Sequence, residues 1–480
     1  MTQSVTLPAW LLAILILFAA WAVLDRLLLP GVRWYLRRRI NLVIDEINTR
    51  LNIEIPPFKL TRRQVLIDRL FHDPRVQAAV GAQAQAERVA RRAVMRRVDR
   101  YAREIVPSFN AYLYFRVGYW LAKSFARFLY RVRIGYADEA GLAAVPARST
   151  VVFVMNHRSN MDYVLVAFLA AERVALSYAV GEWARIWPLQ TLIRSMGAYF
   201  VRRNSGDPLY RVVLQRYVQM ATESGVPQAV FPEGGLTLDG RLRSPKLGLL
   251  DYMVKAFDPQ GERDLVFVPV GINYDRVLED RSLLLRLDGD AARPGLLRAA
   301  AISAGFVMKN LRMMLAGRWH RFGYACVNFG RPFSMRAYVG AQGIDFRALS
   351  DEERHRRVAA LAGELMREIG RIVPALPVAL VAEVFVQNPQ RAFGELELKS
   401  EVYRRIGELE ACGAHVYIPR QDHDYAIGVG LRMLTLRRIV EEREGLYSAN
   451  PAEARILAYY ANAIAHFQAA HVTEQSGPEN

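Results

Sequence analysis

The amino-acid sequence predicts an α/β domain set between two helical regions, and three observations carry that prediction. Short apolar runs alternate with amphipathic segments through the middle of the chain, a basic helical stretch precedes them, and helical spacing returns beyond about Ser350. At 480 residues, with 52% hydrophobic and 23% charged, the chain exceeds one ordinary domain and can fill a large core. That composition excludes global disorder. Cys326 and Cys412 are the two cysteines and lie far apart with no C-x-x-C partner. They exclude a disulfide scaffold and a cysteine zinc site, and they fit a reducing compartment.

Residues 1–30 read as a membrane anchor. From Pro8 to Leu29 the sequence is PAWLLAILILFAAWAVLDRLLL, long enough to span a bilayer if Asp25 and Arg26 lie near the interface. A cleaved signal peptide needs positive charge before the apolar run, whereas here Arg26, Arg33, Arg37, Arg38 and Arg39 follow it. The positive-inside rule then places the rest of the chain in the cytoplasm, on the inner (cytoplasmic) membrane.

Residues 31–140 form the basic helical region. Between Glu87 and Glu104, seven arginines from Arg88 to Arg103 interleave with Val89, Ala93, Val94, Val98 and Tyr101 at helical spacing. Such a helix has either a solvated face or a face for anionic lipid headgroups. The net charge of +17 calls for a polyanionic partner; the sequence favours membrane lipid and no nucleic acid, because no nucleic-acid recognition motif accompanies the charge.

Residues 141–345 form the α/β domain. Strands are predicted over Val151–Met155, Val174–Val180, Ala198–Val201, Gln228–Phe231, Leu265–Ile272 and Phe322–Phe329, with helices over Asp162–Ala171 and Pro208–Thr222. Residues 346–480 form a helical C-terminal region, with charged helices around 352–369, 395–410 and 431–444 and a polar tail after His471.

Chemistry in α/β sheets concentrates where strands end and helices begin. At the first such junction, VVFVM leads into Asn156-His157-Arg158-Ser159-Asn160-Met161-Asp162. A histidine in the turn and a carboxylate five residues on can face each other, which fixes the imidazole tautomer and frees the second nitrogen to take a hydroxyl proton. The spacing is equally that of an acid in a first helical turn. No G-x-S-x-G elbow and no phosphate-binding P-loop is present, which leaves direct transfer to a hydroxyl.

Four blocks in order carry a family resemblance. Residues 156–163, with the form H-x-x-x-x-D, resemble the first motif of the glycerolipid acyltransferases, as found in glycerol-3-phosphate acyltransferases of the bacterial PlsB type. Gly197-Ala198-Tyr199-Phe200-Val201-Arg202-Arg203 is similar to the second motif, Phe231-Pro232-Glu233-Gly234-Gly235 to the third, and Val268-Pro269-Val270-Gly271 through Glu279 to the fourth. The resemblance extends over about residues 149–334 and, more faintly, to residues 457–467. It implies a mixed sheet flanked by helices, with no metal and no cofactor beyond the co-substrate, acyl-CoA or acyl-carrier protein.

The resemblance further implies that His157 is a general base oriented by Asp162 and that glycerol 3-phosphate is the acceptor. Arg158, Ser159, Gly197, Arg202, Arg203, Glu233, Gly234, Gly235, Lys246 and Pro269 are then the substrate-binding positions, with Arg202, Glu233 and Gly234 holding the acceptor. An arginine fork suits a phosphate dianion, and a backbone through Gly234-Gly235 can approach a substrate closely. The chain departs from the family at Leu236-Thr237, where the glycerol-3-phosphate branch usually has Arg-Ser. Arg241, Arg243 or Lys246 would supply the missing charge. Use of 1-acylglycerol 3-phosphate and a membrane-anchored inactive scaffold are the alternative readings.

Overall fold

A computed structural model of the chain describes residues 56–170, 176–181, 189–202, 205–287 and 321–468. The anchor expected over residues 1–30 lies outside these; among the described residues, no helix is long and apolar enough to cross a membrane.

After a single helical turn over Pro57–Leu60 come three helices, α1 (Arg63–His72), α2 (Pro74–Glu87) and α3 (Arg91–Ile105). Asp73 starts α2 by accepting from the Arg75 amide at 3.0 Å, with Pro74 in the first position. The basic stretch is not one helix. Arg88 adopts a left-handed conformation, φ 54°, which ends α2, and α3 starts only at Arg91. Val94, Val98, Tyr101, Ala102 and Ile105 of α3 recur every three or four residues and are buried in the core, while Arg91, Arg92, Arg96, Arg100 and Arg103 face solvent.

A π-helix over Leu113–Gly118 runs into α4 (Tyr119–Leu129), and strand β1 (Arg131–Ala137) follows. This strand lies within the stretch assigned above to the basic helical region. It is an edge strand, largely exposed, so it needs no apolar run to mark it.

The remaining elements of the sheet are β2 (Thr150–Met155), α5 (Met161–Ala170), β3 (Ser177–Val180), β4 (Tyr199–Phe200), α6 (Pro208–Glu223), β5 (Gln228–Val230), β6 (Leu265–Tyr274), β7 (Tyr324–Phe329) and β8 (Phe333–Ser334). Spatial order is β1-β7-β6-β2-β5-β3-β4, with β8 also on β6. Pairing is parallel except where β6 meets β7 and β8, so the sheet is mixed, as the resemblance implies. Pro269, buried in β6, pairs with Val154 and falls between the ladder to β8, which ends at Phe267, and the ladder to β7, which begins at Val270. A residue without an N–H fits that gap.

Alternation along β2 divides the core between the two faces of the sheet. Val152 and Val154 pack with α3 and α6 on one side, and Phe153 and Met155 join the other cluster with the C-terminal helices. After the short α7 (Met335–Gln342), α8 (Asp351–Ile372), capped by Ser350, packs on the Val152 and Val154 side, whereas the helices on the other face are the almost wholly buried α9 (Pro377–Gln387), α10 (Glu395–Ala411), α11 (His423–Leu436) and α12 (Ala454–Ala461). The helix expected over 431–444 stops at Leu436. Val440–Arg443 and Leu446–Ala449 instead form a hairpin whose turn residues, Glu444 and Gly445, both have positive φ.

Candidate active site

The site begins where β2 stops. The side chain of Asn156 donates to Ile272 O at 2.9 Å and accepts from Ile272 N at 2.8 Å, so it continues the β2–β6 ladder while its own backbone turns away. His157 follows, 2% exposed, its ring stacked on Phe231 at 4.0 Å between centroids and edge-on to Tyr163 at 5.5 Å. Nδ1 of His157 lies 2.9 Å from Asp162 Oδ2. The same carboxylate oxygen accepts from the amides of Arg158 at 2.8 Å and Ser159 at 3.1 Å, and Oδ1 accepts from Tyr274 OH at 2.5 Å. Asp162 is therefore more than a first-turn acid, because the loop, the imidazole and β6 converge on it. With Nδ1–H given to the carboxylate, Nε2 carries a lone pair and can take a proton.

Neighbouring loops brace this one. Both carboxylate oxygens of Glu233 accept backbone N–H groups, from His157 at 2.9 Å and from Arg243 at 3.2 Å. Burial pushes its pKa up to about 7 against those hydrogen bonds. Glu279 accepts from Ser159 Oγ at 2.7 Å and from the amide and side chain of Asn160 at 3.2 and 3.0 Å, and burial raises its pKa also.

His157 opens on a cleft of about 360 Å³ lined by Tyr163, Val180, Phe231 and Pro232 together with Arg202, Arg211, Gly234, Lys246 and Tyr252. Beside it lies a groove of about 350 Å³ between α4 and α5, walled by Leu121, Phe125, Val164, Ala167, Ile193 and Met196 and nearly devoid of polar surface. Tyr163 and Val180 line both spaces, so the groove meets the cleft at the ring packed against His157.

Of the positions predicted for substrate, Arg202, Gly234 and Lys246 line this cleft with His157. Gly234 has φ 66° and its missing Cβ leaves room for the Lys246 stem, which a methyl would meet at 2.7 Å. Arg202 is not a free fork: it is paired to Glu104 through Nε at 2.8 Å and Nη2 at 2.6 Å, between the rings of Tyr101 and Tyr210. Glu233, expected to hold the acceptor, has both oxygens committed to backbone and does not line the cleft. Ser159 is tied to Glu279, Gly197 sits in a turn against Phe109 and Lys59, Gly235 is buried outside the cleft lining, and Pro269 is inside the sheet. Arg158 is buried and turned toward Tyr459 of the C-terminal region, and its Nη1 donates to Gly240 O at 2.7 Å. Arg203 lies outside the described residues.

Sequence reasoning missed Arg211, which lines the cleft and is exposed, and whose side chain forms no hydrogen bond or ion pair with a described residue. It lies in the first turn of α6 outside any motif block, where only its proximity to the second block could have drawn notice. Tyr274 and Glu279 stand within the fourth block, but nothing local marks their partners as Asp162 and Ser159.

The comparisons bear out the resemblance. Residues 138–273 match the family model described as acyltransferase, and residues 308–471 match the one described as glycerol-3-phosphate acyltransferase C-terminal region. The glycerol-3-phosphate acyltransferase of Xylella fastidiosa strain M23 is 28% identical over 352 residues, covering 72% of this chain and 39% of that protein. The protein of the same name from Pseudomonas putida KT2440 is 25% identical over 422 residues, covering 85% and 49%. This chain thus matches less than half the length of either relative. Among solved structures, the 1-acyl-sn-glycerophosphate (LPA) acyltransferase PlsC of Thermotoga maritima is 19% identical, with a TM-score of 0.30 over 53% of this chain and 79% of that one.

Proposed function

We propose that this chain is an enzyme of phospholipid synthesis that transfers an acyl group from acyl-CoA or acyl-carrier protein to a hydroxyl of glycerol 3-phosphate. One observation carries the reading: the His157–Asp162 pair opens where a cleft edged by Arg211 and Lys246, cations unpaired with described residues, meets an apolar groove. In the proposed step, the acceptor oxygen attacks the thioester carbonyl while Nε2 of His157 takes the hydroxyl proton. Collapse of the tetrahedral intermediate expels the thiolate, which takes that proton back, so an ester forms and a thiol leaves. Asp162 holds the imidazole tautomer and balances its transient charge. Arg211 and Lys246, both exposed and unpaired with described residues, hold the acceptor phosphate. Lys246 takes the place of the contact that Leu236 cannot make, since Leu236 packs against the core. The acyl tail lies in the groove between α4 and α5. The reaction needs no cofactor besides the acyl donor, and attachment is to the cytoplasmic membrane, through residues 1–30 and the basic face of α3 on anionic lipid.

The test is thioester-dependent acylation by the purified chain against a panel of glycerol phosphates. Glycerol 3-phosphate is expected as the preferred acceptor. Ready acylation of 1-acylglycerol 3-phosphate with little use of glycerol 3-phosphate overturns the acceptor assignment. Absence of acyl transfer to any of them overturns the reading itself.

A further inference from the structure

We propose that helix α12 positions the 156–162 loop from behind, with Arg158 as the positioning residue and Tyr459 as its platform; the inference rests on the acyl-transfer reading above. Arg158 stands next to His157 in sequence, and its amide donates to the Asp162 oxygen that also meets the imidazole. Its side chain leaves the cleft. It is 2% exposed, its guanidinium carbon lies 5.2 Å from the centre of the Tyr459 ring, and its single hydrogen bond goes to Gly240 O. Nε and Nη2 have no partner among the described residues. A buried guanidinium with so few hydrogen bonds is a poor device for stability, since burying an underpaired charge is costly. What the arrangement does supply is a fixed direction for the chain at residue 158.

The platform is itself held. Gly240 has φ 90°, and a Cβ there would collide with the carbonyl of Tyr459, so the 237–241 turn can lie against α12 only with glycine at that point. Asn462, just past α12, donates to Asp239 O at 2.9 Å. From the same turn, the Thr237 amide donates to His157 O at 3.0 Å. Helix α12 therefore reaches the loop twice, through the Arg158 guanidinium and through the His157 carbonyl. The next residue extends the grip to the fourth block: Tyr460 OH donates to Asp280 Oδ2 at 2.5 Å and accepts from the Val277 amide at 3.2 Å, on either side of the Glu279 that holds Ser159 and Asn160. The Arg158 charge also favours the ionised form of Glu233, which anchors the His157 amide.

The test uses the full chain carrying Arg158→Met, Tyr459→Leu or Tyr459→Phe. Small displacements of a reacting group cost up to about 10²-fold, so the first two are expected to lower kcat by ~10–100-fold, with KM for acceptor and donor within about threefold of wild type. Tyr459→Phe should behave as wild type, because the Tyr459 hydroxyl makes no hydrogen bond with a described residue and the ring alone is the platform. Hydrogen exchange over residues 156–163 should quicken in the first two variants and stay unchanged in the third. An unchanged kcat in a folded Arg158→Met or Tyr459→Leu protein overturns the proposal. So does a raised acceptor KM with kcat intact, which would make Arg158 a binding residue, or equal damage from Tyr459→Phe and Tyr459→Leu. If the wild-type chain transfers no acyl group, the functional reading fails, and the exchange measurement alone decides the positioning role: quickened exchange supports it and unchanged exchange overturns it.

Discussion

The two sides of the 156–162 loop use arginine and lysine in opposite ways. On the cleft side, Arg211 and Lys246 are exposed and unpaired with described residues, while Arg202 is already closed by a bidentate pair with Glu104. On the far side, Arg158 is buried against Tyr459 with one hydrogen bond. An exposed, unpaired cation can exchange water for a phosphate at little cost, whereas a buried one cannot move without leaving a charge stranded. Burial and pairing, rather than residue type, separate cations able to bind from those able to position.

The largest effect tests the boundary between the sides. His157→Ala should lower kcat/KM by about 10²–10⁴-fold, the usual weight of a general base, and Asp162→Asn should also be severe because it removes the charge facing the imidazole. Near wild-type turnover in a folded His157→Ala protein would remove the proposed base from the mechanism.

The far side can be probed by pH without any substrate. Burial depresses the His466 pKa from 6.5 to about 4, with the Arg158 charge as a smaller cause. The unfolded imidazole takes a proton below about 6.5 and the folded one only below about 4, so stability from this group is full above 6.5 and lost as pH falls to 4. The loss is on the order of 3 kcal/mol. Equilibrium denaturation from pH 7 to 4 should therefore show a steeper decline for wild type than for His466→Phe; parallel declines would mean that His466 is not held neutral against Arg158.

On the cleft side, Arg211→Ala and Lys246→Ala should each raise the acceptor KM about tenfold, as loss of a charge-assisted hydrogen bond does, and leave the donor KM nearly unchanged. Arg202→Ala should do less. If steady-state kinetics give the reverse order, the Glu104 pair opens for substrate and the second-block arginine binds the phosphate after all. The smallest effect concerns the groove. Val164→Phe narrows it, so the preferred acyl chain should shorten with little change in the acceptor KM; an unaltered chain-length profile would place the acyl tail elsewhere.

Much of the fold was legible in the sequence, for reasons particular to each element. Strands β2 and β6 are apolar apart from Thr150 and Asn273 because both faces are covered, and α6 announces its start with Asp207-Pro208. Strand β1 was missed because an edge strand needs no such run, and the 431–444 segment was misread because its charged residues occur with helical density although Glu444-Gly445 turns a hairpin. Within the site, the pairing of His157 with Asp162 could be anticipated from a five-residue spacing, since both belong to one turn.

By itself, then, the sequence determined the alternation of strands and helices, the four motif blocks in order, and the local pair at the head of the first. Only the tertiary structure decided what each charged side chain faces. Arg202 meets Glu104 from 98 residues away, Asp162 meets Tyr274 from 112, and Arg158 meets Gly240 from 82 and the ring of Tyr459 from the C-terminal region. Periodicity and capping act over one or two turns of chain, so they are written locally. Burial and pairing of a charge depend on whatever elements the fold brings alongside it, and local spacing carries no record of those partners.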